Sequence, residues 1–233
     1  MLITHGLRLP QPGSWLQYDV TEYSFVLIRG HDEKMKEFIE TWADRFDDLV
    51  APKLISEDSF NFKKHAVHVH VDTDGFVWVN LDAGEQPEIP GSTRFFDIKF
   101  KDYNFLFDHV WELKESYNWK ILSDNYNECY HCLRAHHDVP PLAVLEVDDV
   151  DTVVGIILHF SNPKQDTVDR GLKIAITYCF MTVLPQSIFM LILVPTSPDN
   201  CDMLYEVYRN KDSSDEDFEL INSMYKRIMS ENK

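Results

Sequence analysis

The sequence predicts an α+β fold built on antiparallel sheet. Three observations carry that expectation. Strand-like runs return on themselves across short turns, as in residues 65–81. Four further apolar runs follow one another between residues 150 and 208. Two segments with helical periodicity, residues 122–136 and 215–233, stand on either side of those four runs.

The elements follow in chain order. Residues 15–20 and 23–28 alternate loosely and read as two strands. In residues 32–50, Met35, Phe38, Ile39, Trp42, Phe46 and Leu49 recur at spacings of three and four, which predicts a helix with one apolar face. Residues 65–71 are β-branched and nearly alternating, and predict a strand. Asp72-Thr73-Asp74-Gly75 is a hairpin turn, and residues 76–81 return as the next strand. The Pro-rich stretch of residues 86–91 is the best domain boundary, dividing the chain into residues 1–88 and 89–233. Residues 107–115 predict another strand, and residues 122–136 a polar helix. Residues 150–160, 172–183, 188–194 and 203–208 predict four antiparallel strands, which suit a curved sheet with one face around a pocket. Leu184-Pro185-Gln186-Ser187 interrupts the most apolar stretch and reads as a hairpin, so residues 174–194 are two buried strands and not a membrane span. Residues 215–233 form an amphipathic helix with Phe218, Ile221, Met224, Tyr225 and Ile228 on its apolar stripe. Ser213 or Ser214 caps it, and Asp215 and Glu216 sit in its first turn, where the helix dipole favours them.

Composition excludes several function classes. The 233 residues are 44% hydrophobic and 13% aromatic, enough for a packed core. With 39 acidic and 22 basic residues the formal charge is −17, which argues against polyanionic partners, nucleic acid and anionic membranes alike. Four cysteines, all beyond residue 128, do not make a disulfide framework. No charged-then-apolar pattern opens the chain, so the expected location is cytoplasmic.

Chemistry concentrates in residues 118–136. His131 and His136 lie five apart, and they converge on one metal if the helix ends or loosens between them. On a regular helix Glu128 lies one turn before His131 and points the same way. Taken alone, the pair is compatible with a metal site or with a polar helix whose histidines are satisfied. Cys129 and Cys132 beside His131 raise a zinc reading, which lacks a second cysteine pair at finger spacing. His65, His68 and His70 share a strand and fit a solvated face better than a metal site. His137 reads as a neighbour of the site, and Asp212, Asp215 and Asp217 as a solvated helix start. Tyr178, Phe180, Met181, Phe189 and Met190 are core, some of them lining an apolar pocket.

The whole string resembles the iron-binding helix of Rieske non-haem iron oxygenase large subunits, in the choline-monooxygenase-like branch. The likeness is carried by Asn118-Trp119-Lys120, Asn125-Tyr126, Glu128-Cys129-Tyr130-His131-Cys132 and Ala135-His136. It continues at Pro195-Thr196-Ser197-Pro198, Tyr205-Glu206-Val207-Tyr208-Arg209 and residues 215–230, and covers Gly75 to Asp82. The resemblance implies a helix-grip (START-like) catalytic domain over residues 89–233, a curved antiparallel sheet gripping a long helix. A remnant Rieske-type β domain lacking the cluster precedes it over residues 1–88. It also implies an iron site of two histidines and one carboxylate with open positions. His131 and His136 match the histidines, and Glu128 matches the carboxylate that bridges toward a neighbouring subunit's cluster.

The chain departs from this pattern in three places. A Rieske [2Fe–2S] centre needs two Cys and two His, and no cysteine precedes Cys129. The acidic segment of residues 32–50 therefore reads as a helix replacing the cluster-binding region. The family's Glu-Asp pair aligns with Glu231-Asn232, so Asn232 stands where the third iron ligand is expected. An amide there removes one negative charge and lowers affinity for Fe(II). The chain also ends at Lys233, short of the family's last elements.

These departures give the first functional expectation: a small-molecule enzyme with a repurposed oxygenase pocket. It would perform a redox-neutral cyclisation, isomerisation or pericyclic (Diels–Alder-type) step on an apolar substrate in secondary metabolism. His131, His136, Tyr130 and Asn125 would be the hydrogen-bond donors or acid–base groups. The alternatives are a mononuclear Fe(II) oxygenase fed by an external reductant, with metal ligands His131, His136 and Asn232, and a non-catalytic partner subunit. A homo-oligomer fits the family resemblance.

Overall fold

The computed structural model describes residues 1–20, 23–32, 34–39, 68–80, 104–128, 132–136, 143–153, 156–163, 171–176 and 178–231. The chain divides into two compact units, Met1–Arg94 and Phe95–Lys233.

The first unit holds two three-stranded antiparallel sheets. In one, β1 (Leu2–His5) pairs with β6 (Phe76–Asn80), which pairs with β5 (His68–Val71). β1 was not anticipated, because four residues are too few to show a period. The β5–β6 turn is as expected: the Gly75 N–H donates to the Asp72 carbonyl at 3.1 Å, and Gly75 takes φ +93°. Only glycine fits there without strain, and a Cβ would lie 2.8 Å from His5 Nε2. The Asp72 carboxylate ties the hairpin together, accepting from Phe76 N at 3.0 Å and from Trp78 Nε1 at 2.8 Å.

The second sheet has the order β2 (Trp15–Val20), β3 (Tyr23–Arg29), β4 (Met35–Ile39). Here the expected helix over residues 32–50 is corrected. Residues 35–39 are a strand in register with β3, Phe25 opposite Ile39 and Arg29 opposite Met35. Residues 40–50 lie outside the described residues. The central strand β3 is buried along Phe25, Val26, Leu27 and Ile28, and its second edge needs a ladder of backbone hydrogen bonds. That demand outweighs a helical periodicity which, over five residues, is indistinguishable from a short apolar strand.

The second unit is dominated by one seven-stranded antiparallel sheet of order β7-β13-β12-β11-β10-β9-β8. Its strands are β7 (Phe105–Glu115), β8 (Ala143–Val153), β9 (Ile156–Pro163), β10 (Gly171–Ile176), β11 (Cys179–Val183), β12 (Ser187–Ser197) and β13 (Asn200–Asn210). Strands β8 to β13 form a continuous meander, and β7 joins at its far edge. Two of the four expected strands are thus two strands each. The run 150–160 spans the end of β8 and most of β9, and the run 172–183 spans β10 and β11. The expected hairpin at residues 184–187 joins β11 to β12. Register shifts interrupt the β13–β7, β12–β13 and β8–β9 ladders, and such bulges bend and twist a strand.

Strands β11 and β12 are buried on both faces, which explains the unbroken apolar run Ile188 to Leu193. One face carries Phe180, Phe189, Leu191, Leu193, Met203, Tyr205 and Val207. Against it pack α1 (Trp119–Asn127), through Leu122 and Tyr126, and α3 (Asp215–Glu231), through Phe218, Tyr225, Ile228 and Met229. Ser214 caps α3: the Asp217 N–H donates to Ser214 Oγ at 3.1 Å. No described helix is long and apolar enough to cross a membrane.

Candidate functional site

The expected single helix over residues 122–136 is also corrected. Asn118 caps α1 by accepting from Lys120 N at 2.9 Å, and the helix stops at Glu128, whose backbone is extended (φ −100°, ψ 141°). A separate turn, α2 (Cys132–Ala135), follows. The helical spacing that aligned Glu128 with His131 therefore does not hold, because Glu128 lies past the end of the helix. Residues with short polar side chains (Ser123, Asp124, Asn125, Asn127) weaken α1 as it approaches this point. That break lies before both histidines; between them α2 runs from Cys132 to Ala135 and ends just before His136.

Of the expected site residues, Tyr130, His131 and Asn232 lie outside the described residues. Asn125 is half-buried on α1. His136 is 2% exposed at the end of α2. Its Nδ1 lies 3.0 Å from Oε2 of Glu231, the last residue of α3. This contact joins the two segments that carry the sequence motif, across 95 positions of chain. Sequence reasoning reached the neighbouring position, Asn232, and passed over Glu231. The Glu-Asn dipeptide gave no signal that its glutamate would turn toward the histidine.

Above the sheet, the hydroxyls of α1 and α3 converge. Tyr126 Oη is 2.7 Å from Thr182 Oγ1 and 3.4 Å from Tyr225 Oη. Tyr225 stacks on Phe189 at 3.9 Å and meets Tyr205 edge-on at 6.2 Å, and Tyr205 stacks on Trp111 at 3.8 Å. Burial pushes the Tyr126 phenol up to about 12, against the opposing pull of its bond to Thr182. Burial likewise raises Tyr205 and Tyr225, with the neighbouring tyrosines adding to it. These groups stay neutral at physiological pH and serve as hydrogen-bond donors or acceptors. Asn222, one turn before Tyr225 on α3, is 5% exposed, and its Oδ1 is buried without a hydrogen-bond partner among the described residues. Most buried polar atoms are paired, so this acceptor is a candidate substrate contact. The tyrosine cluster escaped sequence reading because its members come from α1, β11, β13 and α3.

His136 offers one ring nitrogen to a metal while a carboxylate holds the other. A buried imidazole whose one nitrogen is held by a carboxylate is the usual arrangement of a metal-binding histidine. Among the described residues no three His, Cys, Asp or Glu side chains group as a metal set; His136 and Glu231 make two.

Comparison with known proteins gives concordant matches. Residues 103–170 match the family model for the ring hydroxylating alpha subunit, catalytic domain. The carnitine monooxygenase oxygenase subunit of Acinetobacter pittii (strain PHEA-2) is 24% identical over 169 residues, which are 58% of this chain and 45% of that protein. The same subunit from Escherichia coli (strain K12) is 23% identical over 167 residues, again 58% of this chain and 45% of that protein. The chain thus spans about half the length of the curated relatives it matches. Among solved structures, a quaternary ammonium Rieske monooxygenase in complex with an inhibitor superposes with a TM-score of 0.75 at 18% identity, covering 99% of this chain and 75% of that one. Naphthalene 1,2-dioxygenase from Rhodococcus sp. superposes with a TM-score of 0.67 at 12% identity, covering 94% and 69%. The fold is shared, both units included.

Proposed function

Because this chain is a relative of the Rieske oxygenase large subunits, we propose that it is an oxidoreductase acting on a small organic molecule at a mononuclear non-haem iron. The observation that carries the reading is the buried His136 ring with Glu231 Oε2 at 3.0 Å from its Nδ1. His136 would hold the metal together with His131, with Asn232 at the family carboxylate's position. Ferrous iron held there would offer open positions to dioxygen, which is the oxidant, with the electrons coming from an external reductant.

The chain's own residues do the rest. The Phe189, Tyr205 and Tyr225 surface is apolar and excludes water. Tyr126, Thr182 and Asn222 supply the polar groups that fix a substrate's orientation. Quaternary ammonium compounds are the first substrates to test, since the relatives are carnitine monooxygenases. A homo-oligomer and a cytoplasmic location belong to the same proposal.

A redox-neutral reaction in the same scaffold is the second reading. It is favoured by one fact: residues 1–128 contain no cysteine, and so none of the thiolate ligands a Rieske cluster takes. Two measurements separate the readings. The chain is reconstituted with Fe(II) without oxygen, and its iron content is measured beside that of His136→Ala. Oxygen uptake is then followed with a chemical reductant and a panel of quaternary ammonium compounds. Stoichiometric iron, lost in His136→Ala, with substrate-dependent oxygen uptake is the expected result. An iron-free protein that converts a substrate without oxygen would replace the first reading with the second.

A further inference from the structure

We infer that Glu231 is the positioning carboxylate of this centre, acting through the His136 imidazole, and that the metal affinity of the site depends on it. The inference rests on the iron reading above. It starts from where Glu231 stands. Glu231 is the last residue of α3, a 17-residue helix with no basic side chain in its final turn. A carboxylate in the last turn of a helix opposes the dipole of the helix that bears it. Helix stability gives no reason for an acid here. Solvation gives only a partial one, because the side chain is 31% exposed.

The partner supplies the reason. His136 is 2% exposed, and its Nδ1 faces Glu231 Oε2 at 3.0 Å. A carboxylate at Nδ1 holds the proton on that nitrogen and directs the lone pair of the ring to Nε2. It also fixes the plane of the ring and makes it a stronger donor to a metal. This places a negative charge one imidazole away from the metal position. At Asn232, where the family resemblance expects a carboxylate, the chain has an amide. Glu231 therefore restores to the site, through the histidine, part of the charge that Asn232 does not supply.

The test is metal binding by the apoprotein, with folding measured on the same samples. Wild type, Glu231→Gln, Glu231→Ala, Asn232→Asp and His136→Ala are titrated with Co(II), whose visible bands report coordination, and melted without metal. Glu231→Ala is expected to weaken Co(II) binding about 10- to 100-fold. Glu231→Gln, which keeps an acceptor oxygen but not the charge, should fall between the two. Both variants should melt somewhat lower without metal, since the buried His136 Nδ1 loses its charged partner, so affinity and not melting is the deciding readout. A purely structural carboxylate would lower the melting temperature and leave the affinity unchanged. Asn232→Asp in the Glu231→Ala background should recover affinity. Wild-type affinity in Glu231→Ala, with His136→Ala unable to bind, would overturn this inference and leave the iron reading standing. A wild-type chain that binds no Co(II) would overturn both.

Discussion

Alkaline titration acts on the tyrosine cluster at the centre of the second unit. Tyr126, Tyr205 and Tyr225 are 9%, 1% and 5% exposed, and burial raises all three phenols. In the unfolded chain a tyrosine loses its proton near pH 10. In the fold Tyr126 keeps its proton up to about 12. The native state therefore binds more protons than the unfolded state above pH 10, and stability falls as pH rises. The contribution is fully present below pH 10 and is lost on the way to the folded value. At about pH 11 Tyr126 withdraws on the order of 1 kcal/mol. Tyr205 and Tyr225 act in the same direction, against a typical stability of roughly 5–15 kcal/mol. Tyrosinate absorbance and circular dichroism, followed together from neutral pH upward, check this. Some of the ten tyrosines should ionise near their ordinary value. The buried ones should ionise only with cooperative loss of the fold, and Tyr126→Phe should lessen the pH dependence. If all ten ionised near pH 10 while the dichroism stayed native, the packing of α1 and α3 on the sheet described above would be wrong.

Two further outcomes follow from the packing. Phe189→Ala removes a fully buried ring stacked at 3.9 Å on Tyr225. It should cost about 3–5 kcal/mol, read as a fall in the denaturant midpoint of the second unit. Gly75→Ala forces a side chain onto φ +93° and brings a Cβ to 2.8 Å from His5 Nε2. It should destabilise the first unit by about 1–3 kcal/mol, measured by thermal unfolding, and the cost should shrink in a His5→Ala background.

Much of this chain was legible from sequence because its signals are local. Asp72-Thr73-Asp74-Gly75 specifies its own turn, Ser214 and the acids after it specify the start of α3, and Pro185-Gln186 breaks one apolar run into two strands. The string from Asn118 to His136 identified the family resemblance without any structure. What the sequence could not decide depended on partners distant in the chain. Residues 35–39 have the spacing of a helix and become a strand because the buried strand β3 presents an open edge to them. Residues 122–136 look like one helix and are two, since Glu128 takes an extended backbone that no spacing announces. The tyrosine cluster exists only because four elements meet over one sheet face. At the site itself, sequence determined that a histidine stands at position 136 and placed Asn232 where the family resemblance expects a carboxylate. Only the tertiary structure showed that Glu231 meets that histidine, because the course of α3 brings a carboxylate to the His136 ring from 95 positions away in the chain.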